Sequence, residues 1–272
     1  MESSVKSAGE VEEGLIEAEQ DSLADEAEDS GMSVITMANT KGGAGKSTLA
    51  MVLGSAALSS GEAVAFFDGD PQGSLSHWMS SSQEAGNWPD HAGGGSFASV
   101  QEVVDKLNEL SKAGFGGLVI IDTAGVGEEA MFRLASISDV VVVPAICSST
   151  AFNTTKRSVE LLREFLGQID EDQRPALKIV RTSVRRDKEL TKGLRAIYAE
   201  LGKFPETVEP HIGHYNLLEE WEDQGPLYER FKRQLEIGGI HKSHGGTTKR
   251  VLEEGVKVIN ALFEDDDEGN AA

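Results

Sequence analysis

The segment Lys41-Gly42-Gly43-Ala44-Gly45-Lys46-Ser47-Thr48 constrains this chain more than any other. It stands between Ser33-Val-Ile-Thr-Met-Ala38, an apolar run that reads as a buried strand, and a stretch from Lys46 to about Ser59 that reads as a helix. Three glycines in four positions let backbone N–H groups turn inward around an anion. A helix beginning at the end of the loop adds its positive N-terminal potential. From that position Lys46 reaches β- and γ-phosphates, and the Ser47 hydroxyl is placed to bind Mg²⁺. A glycine-rich turn with unrelated lysines is the bland alternative, and the flanking strand and helix speak against it. The pattern departs from the common phosphate loop in two ways: Thr40 stands where its first glycine belongs, and an additional lysine follows at Lys41.

The rest of the chain repeats the alternation. Ala63–Phe67, Gly117–Ile121, Asp139–Val143 and Leu177–Val180 are short runs apolar on both faces; Val100–Lys112, Glu128–Ser136, Thr155–Leu166 and Lys188–Leu201 carry helical spacing. Strands apolar on both faces and separated by helices predict an α/β fold, a mostly parallel twisted sheet of the P-loop NTPase type with helices on both faces, in a single domain. Gly86–Gly95 reads as a loop, and about Thr247–Phe263 as a last helix packed on the sheet. No internal repeat is present.

Of the 272 residues 39% are apolar, enough for a core, and the net charge is −21. That charge is uneven. Residues 1–31 hold 11 acids and one base, and Glu264-Asp-Asp-Asp-Glu268 adds five more acids, so the remainder carries −21 + 10 + 5 = −6. The expected division is therefore an acidic disordered tail at 1–31, a folded domain at 32–263 and a second acidic disordered tail at 264–272. The single cysteine, Cys147, rules out an intrachain disulfide or a four-cysteine metal site. The absence of a long apolar run or a basic-apolar leader leads to the expectation of a cytoplasmic protein with no membrane partner.

Two aspartate motifs follow the loop. Phe67-Asp68-Gly69-Asp70-Pro71-Gln72 closes the second strand, and in an extended chain Asp68 and Asp70 point to the same side; Asp-Pro-Gln-Gly is also ordinary turn chemistry. Val119-Ile-Ile-Asp122-Thr-Ala-Gly125 ends the next strand with a carboxylate positioned for Mg²⁺ and a glycine that frees the following loop. Together with Lys41, these motifs resemble the deviant Walker A ATPases, the family of ParA partition proteins, MinD and the nitrogenase iron protein. The Asp-x-Asp-Pro-Gln segment is similar to ParA rather than MinD. The resemblance runs from about residue 33 to 263. It implies a homodimer sandwiching two ATP molecules, with Lys41 touching phosphates held by the other subunit, Asp70 orienting the attacking water, and Ser47, Asp68 and Asp122 serving the Mg²⁺ site. Lys46 completes the catalytic set, Gly42, Gly43, Ala44, Gly45 and Thr48 belong to the phosphate cradle, and Pro226 in Asp223-Gln-Gly-Pro-Leu-Tyr228 resembles a segment near the nucleotide base.

Departures from the family pattern are Ala151 where an aspartate is common, His214 where an arginine is common, and Arg181-Thr182 in place of an asparagine used toward adenine. Only about 32 residues precede the first strand, too few for the helix-turn-helix domain of larger ParA proteins.

Residues 174–195 carry eight bases against two acids, a net of 8 − 2 = +6. Arg181, Arg185, Arg186, Lys188, Lys192 and Arg195 are the candidates for nonspecific, salt-sensitive contact with double-stranded DNA, with Lys242, Lys249 and Arg250 as an extension. A solvated helix face is the alternative. The resemblance implies slow ATP hydrolysis stimulated by a ParB-like or other cargo-bound activator, in partition of plasmid or chromosomal DNA. A related positioning or conjugative-transfer ATPase is the alternative. A MinD-like membrane switch fits poorly with an acidic C-terminus, and a cluster-bridged redox dimer needs more than one cysteine. His241 and His244 read as an exposed loop, and Trp78, Trp88 and Trp221 as packing residues.

Overall fold

A computed structural model describes residues 31–70, 72–123, 126–185, 191–218, 225–229, 232 and 242–264. The strands are β1 (Ser33–Met37), β2 (Val64–Asp68), β3 (Ala92–Ser96), β4 (Leu118–Asp122), β5 (Val140–Ile146) and β6 (Ala176–Thr182). They form one parallel sheet in the order β3-β2-β4-β1-β5-β6. The helices between and after them are α1 (Lys46–Ser59), α2 (Ser74–Glu84), α3 (Val100–Lys112), α4 (Glu128–Ser136), α5 (Ser149–Leu166), α6 (Lys192–Leu201) and α7 (Lys242–Phe263).

Strand period decides which layer each side chain joins. Ile35, Met37, Phe66, Ile120 and Val142 face α1, α2 and α7, whose Leu49, Val52, Trp78, Val251 and Val258 bury against them. Alternate residues face the other way. Val34, Phe67, Val119 and Ile121 meet Val103, Val104 and Leu107 of α3, while Val141, Val143 and Ile179 meet Val159 and Leu162 of α5. The result is the expected three-layer sheet with helices on both faces.

Three expectations need correction, and one helix was not expected. Gly86–Gly95 is not all loop, because Ala92-Gly-Gly-Gly-Ser96 is β3, paired in parallel with β2. A strand without side chains carries no apolar signal, yet its backbone can approach closely: a Cβ on Gly94 (φ 138°) would lie 2.0 Å from the Phe66 carbonyl oxygen. Ser74–Glu84 is a helix, burying Leu75, Trp78, Met79 and Ser82 at helical spacing. Helix α5 starts at Ser149, where the Ser148 hydroxyl accepts the Ala151 N–H. Helix α6 starts at Lys192 rather than Lys188, with Thr191 Oγ1 accepting from Leu194 N; residues 186–190 lie outside the described residues.

The register brings three strand ends together. Met37 pairs with Asp122, and Asp122 with Asp68, so β1, β4 and β2 end side by side at the carboxyl edge of the sheet. From β1 the chain turns one way to β2, and after β4 it resumes on the other side with β5. This reversal is where ligands gather in open parallel sheets.

Candidate nucleotide site and adjoining basic cavity

The loop from Ala38 to Gly45 joins β1 to α1 at that reversal. Its base is held rigidly. Asn39 Nδ2 donates to Pro144 O at 3.3 Å, and Ser158 Oγ of α5 accepts from Thr40 N at 3.2 Å and donates to Asn39 Oδ1 at 3.2 Å. Thr40 Oγ1 lies 2.9 Å from the same Ser158 oxygen. The threonine that departs from the common loop is therefore used to tie the loop to α5.

Gly45 sits at φ 83°, a left-handed conformation that glycine adopts without strain, and starts α1 with no side-chain cap and no acidic residue in its first turn. The amides at this helix start are thus offered to an anion. Lys46 is 5% exposed and its Nζ crosses the mouth of the loop, donating to Asn39 O at 3.0 Å and Lys41 O at 3.4 Å. Burial pulls its pKa below the ordinary lysine value, and the charges of Asp122 and Asp70 pull it back up. Lys41 is exposed, and Ser47 and Thr48 are half-buried on the first turn of α1.

The two aspartates are not equally placed: Asp68 is buried and Asp70 half-buried. Asp68 is 1% exposed, and its Oδ1 accepts from Asp70 N at 2.9 Å while Oδ2 accepts from Ser76 N at 2.6 Å, in the first turn of α2. Gly69 N donates to Asp122 O at 2.9 Å, tying the ends of β2 and β4. Asp68 thus organises the turn, and Asp70 is left half-buried near Lys46. Asp122 is fully buried, and Thr123 Oγ1 donates to Met37 O at 2.6 Å beside it. Pro71, Ala124 and Gly125 lie outside the described residues.

Beyond Gly45 the loop opens into a slot of about 230 Å³. Leu49 and Val52 of α1 form one apolar wall, Ile146 and Ile212 another, and Thr182, Ser183, His214 and Tyr215 the polar edge. Thr182 Oγ1 is buried with no hydrogen-bond partner among the described residues. Ser183 holds φ at 54°, unusual for a serine, and its Oγ lies 2.9 Å from His214 Nδ1. A flat apolar slot continuous with an amide-rich loop, with an unused hydroxyl at its edge, fits a nucleotide whose base leaves the loop sideways. Among the described residues no group of three or more His, Cys, Asp or Glu could hold a metal. The hard oxygens of Ser47 and Asp122 beside the phosphate loop suit Mg²⁺ completed by phosphate and water.

Pro226 does not line the slot. It is buried, and the amide after it, Leu227 N, donates to Ser55 Oγ at 3.3 Å. Ser55 is nine residues beyond Lys46, about 14 Å along α1.

The basic candidates separate into groups. Arg181 is 3% exposed: its guanidinium donates to Glu209 O at 3.0 Å and Val208 O at 3.3 Å and lies 4.2 Å from the Tyr198 ring centre. It is a structural cation and cannot contact DNA. Arg186 and Lys188 lie outside the described residues, and Lys192 is exposed at the start of α6. Arg185 and Arg195 meet Arg250 of α7 around a cavity of about 440 Å³ with Tyr198, His211 and Tyr215. Among the described residues its one acid, Glu254, accepts from Tyr215 Oη at 2.6 Å and Gly213 N at 2.9 Å. Burial lowers the His211 pKa further than the nearby acids raise it. Gly213, His214 and Tyr215 line both slot and cavity, so one short segment forms the wall between them. His211, Tyr215 and Glu254 carried no sequence signal, since each joins Arg185 and Arg195 through the return of a distant segment, whereas Tyr198 shares α6 with Arg195.

A family model described as VirC1 protein matches residues 32–220. A protein ParA from Rhizobium radiobacter is 29% identical over 238 residues, covering 85% of this chain and 96% of that protein. Among solved structures, an ATP complex of a variant Cyanothece McdA superposes with TM-score 0.58 at 15% identity, covering 86% of this chain and 98% of the other. The MinC:MinD cell division complex of Aquifex aeolicus gives 0.57 at 14% identity, covering 84% and 96%. The pNOB8 ParA bound to nonspecific DNA gives 0.53 at 16%, covering 84% and 99%. At these identities the structures show a shared fold.

Proposed function

From the premise that the chain belongs to the VirC1 family, within the ParA/MinD superfamily of P-loop ATPases, we propose that it is an ATP-driven switch that positions DNA. The supporting observation is the shared wall: the segment that borders the base slot also borders the three-arginine cavity.

In this reading the amides of Gly42, Gly43, Ala44 and Gly45, with Ser47 and Thr48, cradle the phosphates of ATP. Lys46 turns from its carbonyl partners to the β- and γ-phosphates. Ser47 and Asp122 would hold Mg²⁺, which would supply neutralisation of the phosphate charge. Asp68 acts as a positioning residue that sets the turn carrying Asp70, and Asp70 orients the attacking water. Lys41, exposed at the rim, reaches the phosphates of the second protomer and stabilises charge there as an arginine finger would. The folded domain is 32–263, with acidic segments on either side.

The DNA surface comprises Arg185, Lys192, Arg195 and Arg250, with Arg186 and Lys188 between them in sequence. Duplication by dimerisation would make binding cooperative with ATP and steeply salt-dependent. A cargo-bound activator of ParB type would then speed hydrolysis and release the complex, and DNA binding would place the protein on the nucleoid. Sedimentation with and without ATP, alongside turnover, tests the dimer. Wild type should double in mass with ATP. Lys41→Ala should keep ATP affinity within a few-fold while its turnover falls at least tenfold; unchanged turnover in that variant would refute the shared-site dimer.

A further inference from the structure

We propose that Ser158 of α5, acting through Asn39 and Thr40, is a positioning residue that sets Lys41 for its work on the nucleotide of the partner protomer; the inference rests on the shared-site dimer above. Ser158 is fully buried within a helix of 18 residues. Its hydroxyl has one proton and two lone pairs, and the loop uses all three. The proton goes to Asn39 Oδ1 at 3.2 Å, and the lone pairs accept from Thr40 N at 3.2 Å and from Thr40 Oγ1 at 2.9 Å. The Asn39 amide, 4% exposed, is fixed in turn. Its Nδ2 donates to Pro144 O at 3.3 Å, which leaves Oδ1 to accept from Ser158 and from Lys41 N, also at 3.2 Å. One continuous chain of hydrogen bonds thus runs from α5 to the backbone amide of Lys41.

That chain ends on the one loop residue assigned to the other protomer. Lys41 is exposed, so no packing of its own side chain holds it. A cation that serves a neighbouring molecule acts best when its backbone is fixed before the two meet, because orientation held in advance is not spent at the moment of reaction. The protomer's own cradle is separate from the clamp. The hydrogen bonds of Ser158 reach Asn39 and Thr40, not Gly42, Gly43, Ala44 or Gly45. Lys46 meets the carbonyls of Asn39 and Lys41, and gives both up when it turns to phosphate. Loosening the clamp therefore leaves ATP binding in place and costs the contact made across the dimer. Thr40 completes the device: a glycine there, as in the common phosphate loop, would leave one of the three Ser158 bonds unmade.

Mixing of full-length variants tests the direction of the effect, because Lys41 serves the other protomer whereas Asp70 serves its own. Ser158→Ala alone should lose turnover about tenfold while its ATP affinity stays within about threefold of wild type. It is then mixed with an excess of Asp70→Ala, the variant expected to hold ATP without turning it over. In mixed dimers the Ser158→Ala protomer keeps Asp70 and receives a well-placed Lys41 from its partner, so turnover per Ser158→Ala chain should recover about fivefold. Thr40→Val should behave as Ser158→Ala does, and Thr40→Ser, which keeps the hydroxyl, as wild type. Turnover of Ser158→Ala close to wild type, an ATP affinity that falls as far as turnover, no recovery on mixing, or Thr40→Ser no better than Thr40→Val overturns the positioning role. Lys41→Ala mixed in the same way separates the two readings. If it too fails to recover, the shared-site dimer falls; if it recovers and Ser158→Ala does not, only the positioning role falls.

Discussion

Lys46 shows why a buried cation is tolerated at the loop. Its desolvation is partly offset by two carbonyl oxygens and by the charges of Asp122 and Asp70, with no close ion pair among the described residues, so the ammonium can move to a more negative partner. Lys46→Ala is expected to abolish ATP binding at micromolar concentrations, measurable by fluorescent-nucleotide titration. Asp70→Ala separates binding from chemistry: ATP affinity should persist while turnover drops at least a hundredfold, and normal turnover in a steady-state assay would remove Asp70 from the reaction. Cys147 reports on packing instead. Burial pushes its thiol up to about 11, so below that pH the reactive thiolate is scarce in the folded chain. Thiol labelling at pH 8 should be slow in native protein and rapid after denaturation.

At the scale of elements, the longest helix is seated through a glycine. A Cβ on Gly255 of α7 would lie 2.6 Å from Ala56 Cβ of α1, so the two helices touch through the absence of a side chain. Gly255→Ala should therefore lose about 1–2 kcal/mol despite its helix-propensity gain. Gly246→Ala on the same helix, with open space around it, should gain up to about 1 kcal/mol; thermal melts of the pair decide it. The same scale shows what was readable beforehand. Strands β1, β2, β4, β5 and β6 announce themselves by apolar runs, and α3 and α4 by helical spacing that matches their observed ends. Strand β3 is invisible because glycines carry no pattern. Helix α2 hides its buried spacing of Leu75, Trp78, Met79 and Ser82 among serines that favour turns. The phosphate loop was legible because its chemistry is local. The capture of Asp68 by Asp70 N and Ser76 N was not, since the second amide comes from the start of a helix that carried no sequence signal. Arg181 misleads for the same reason: charge is visible in a sequence, but the carbonyls of Val208 and Glu209 that capture it arrive from 27 and 28 residues away.

For the whole molecule, the deciding feature is the distribution of charge. A net of −21 describes a protein that duplex DNA should repel, yet Arg185, Arg195 and Arg250 gather in a cavity that shares its Gly213–Tyr215 wall with the slot beyond the phosphate loop. Each phosphate neutralised contributes a slope of about −0.9 in log affinity against log salt, so removing one contact per protomer by Arg195→Ala should flatten the slope by about 1 per protomer. The most direct test of the switch is the affinity for nonspecific duplex DNA between low and moderate salt, with ATP, with ADP and without nucleotide. The account predicts tight, steeply salt-dependent binding with ATP that weakens at least tenfold with ADP or no nucleotide. Equal affinity in all three states, or no binding in any state while ATP itself binds, would contradict it.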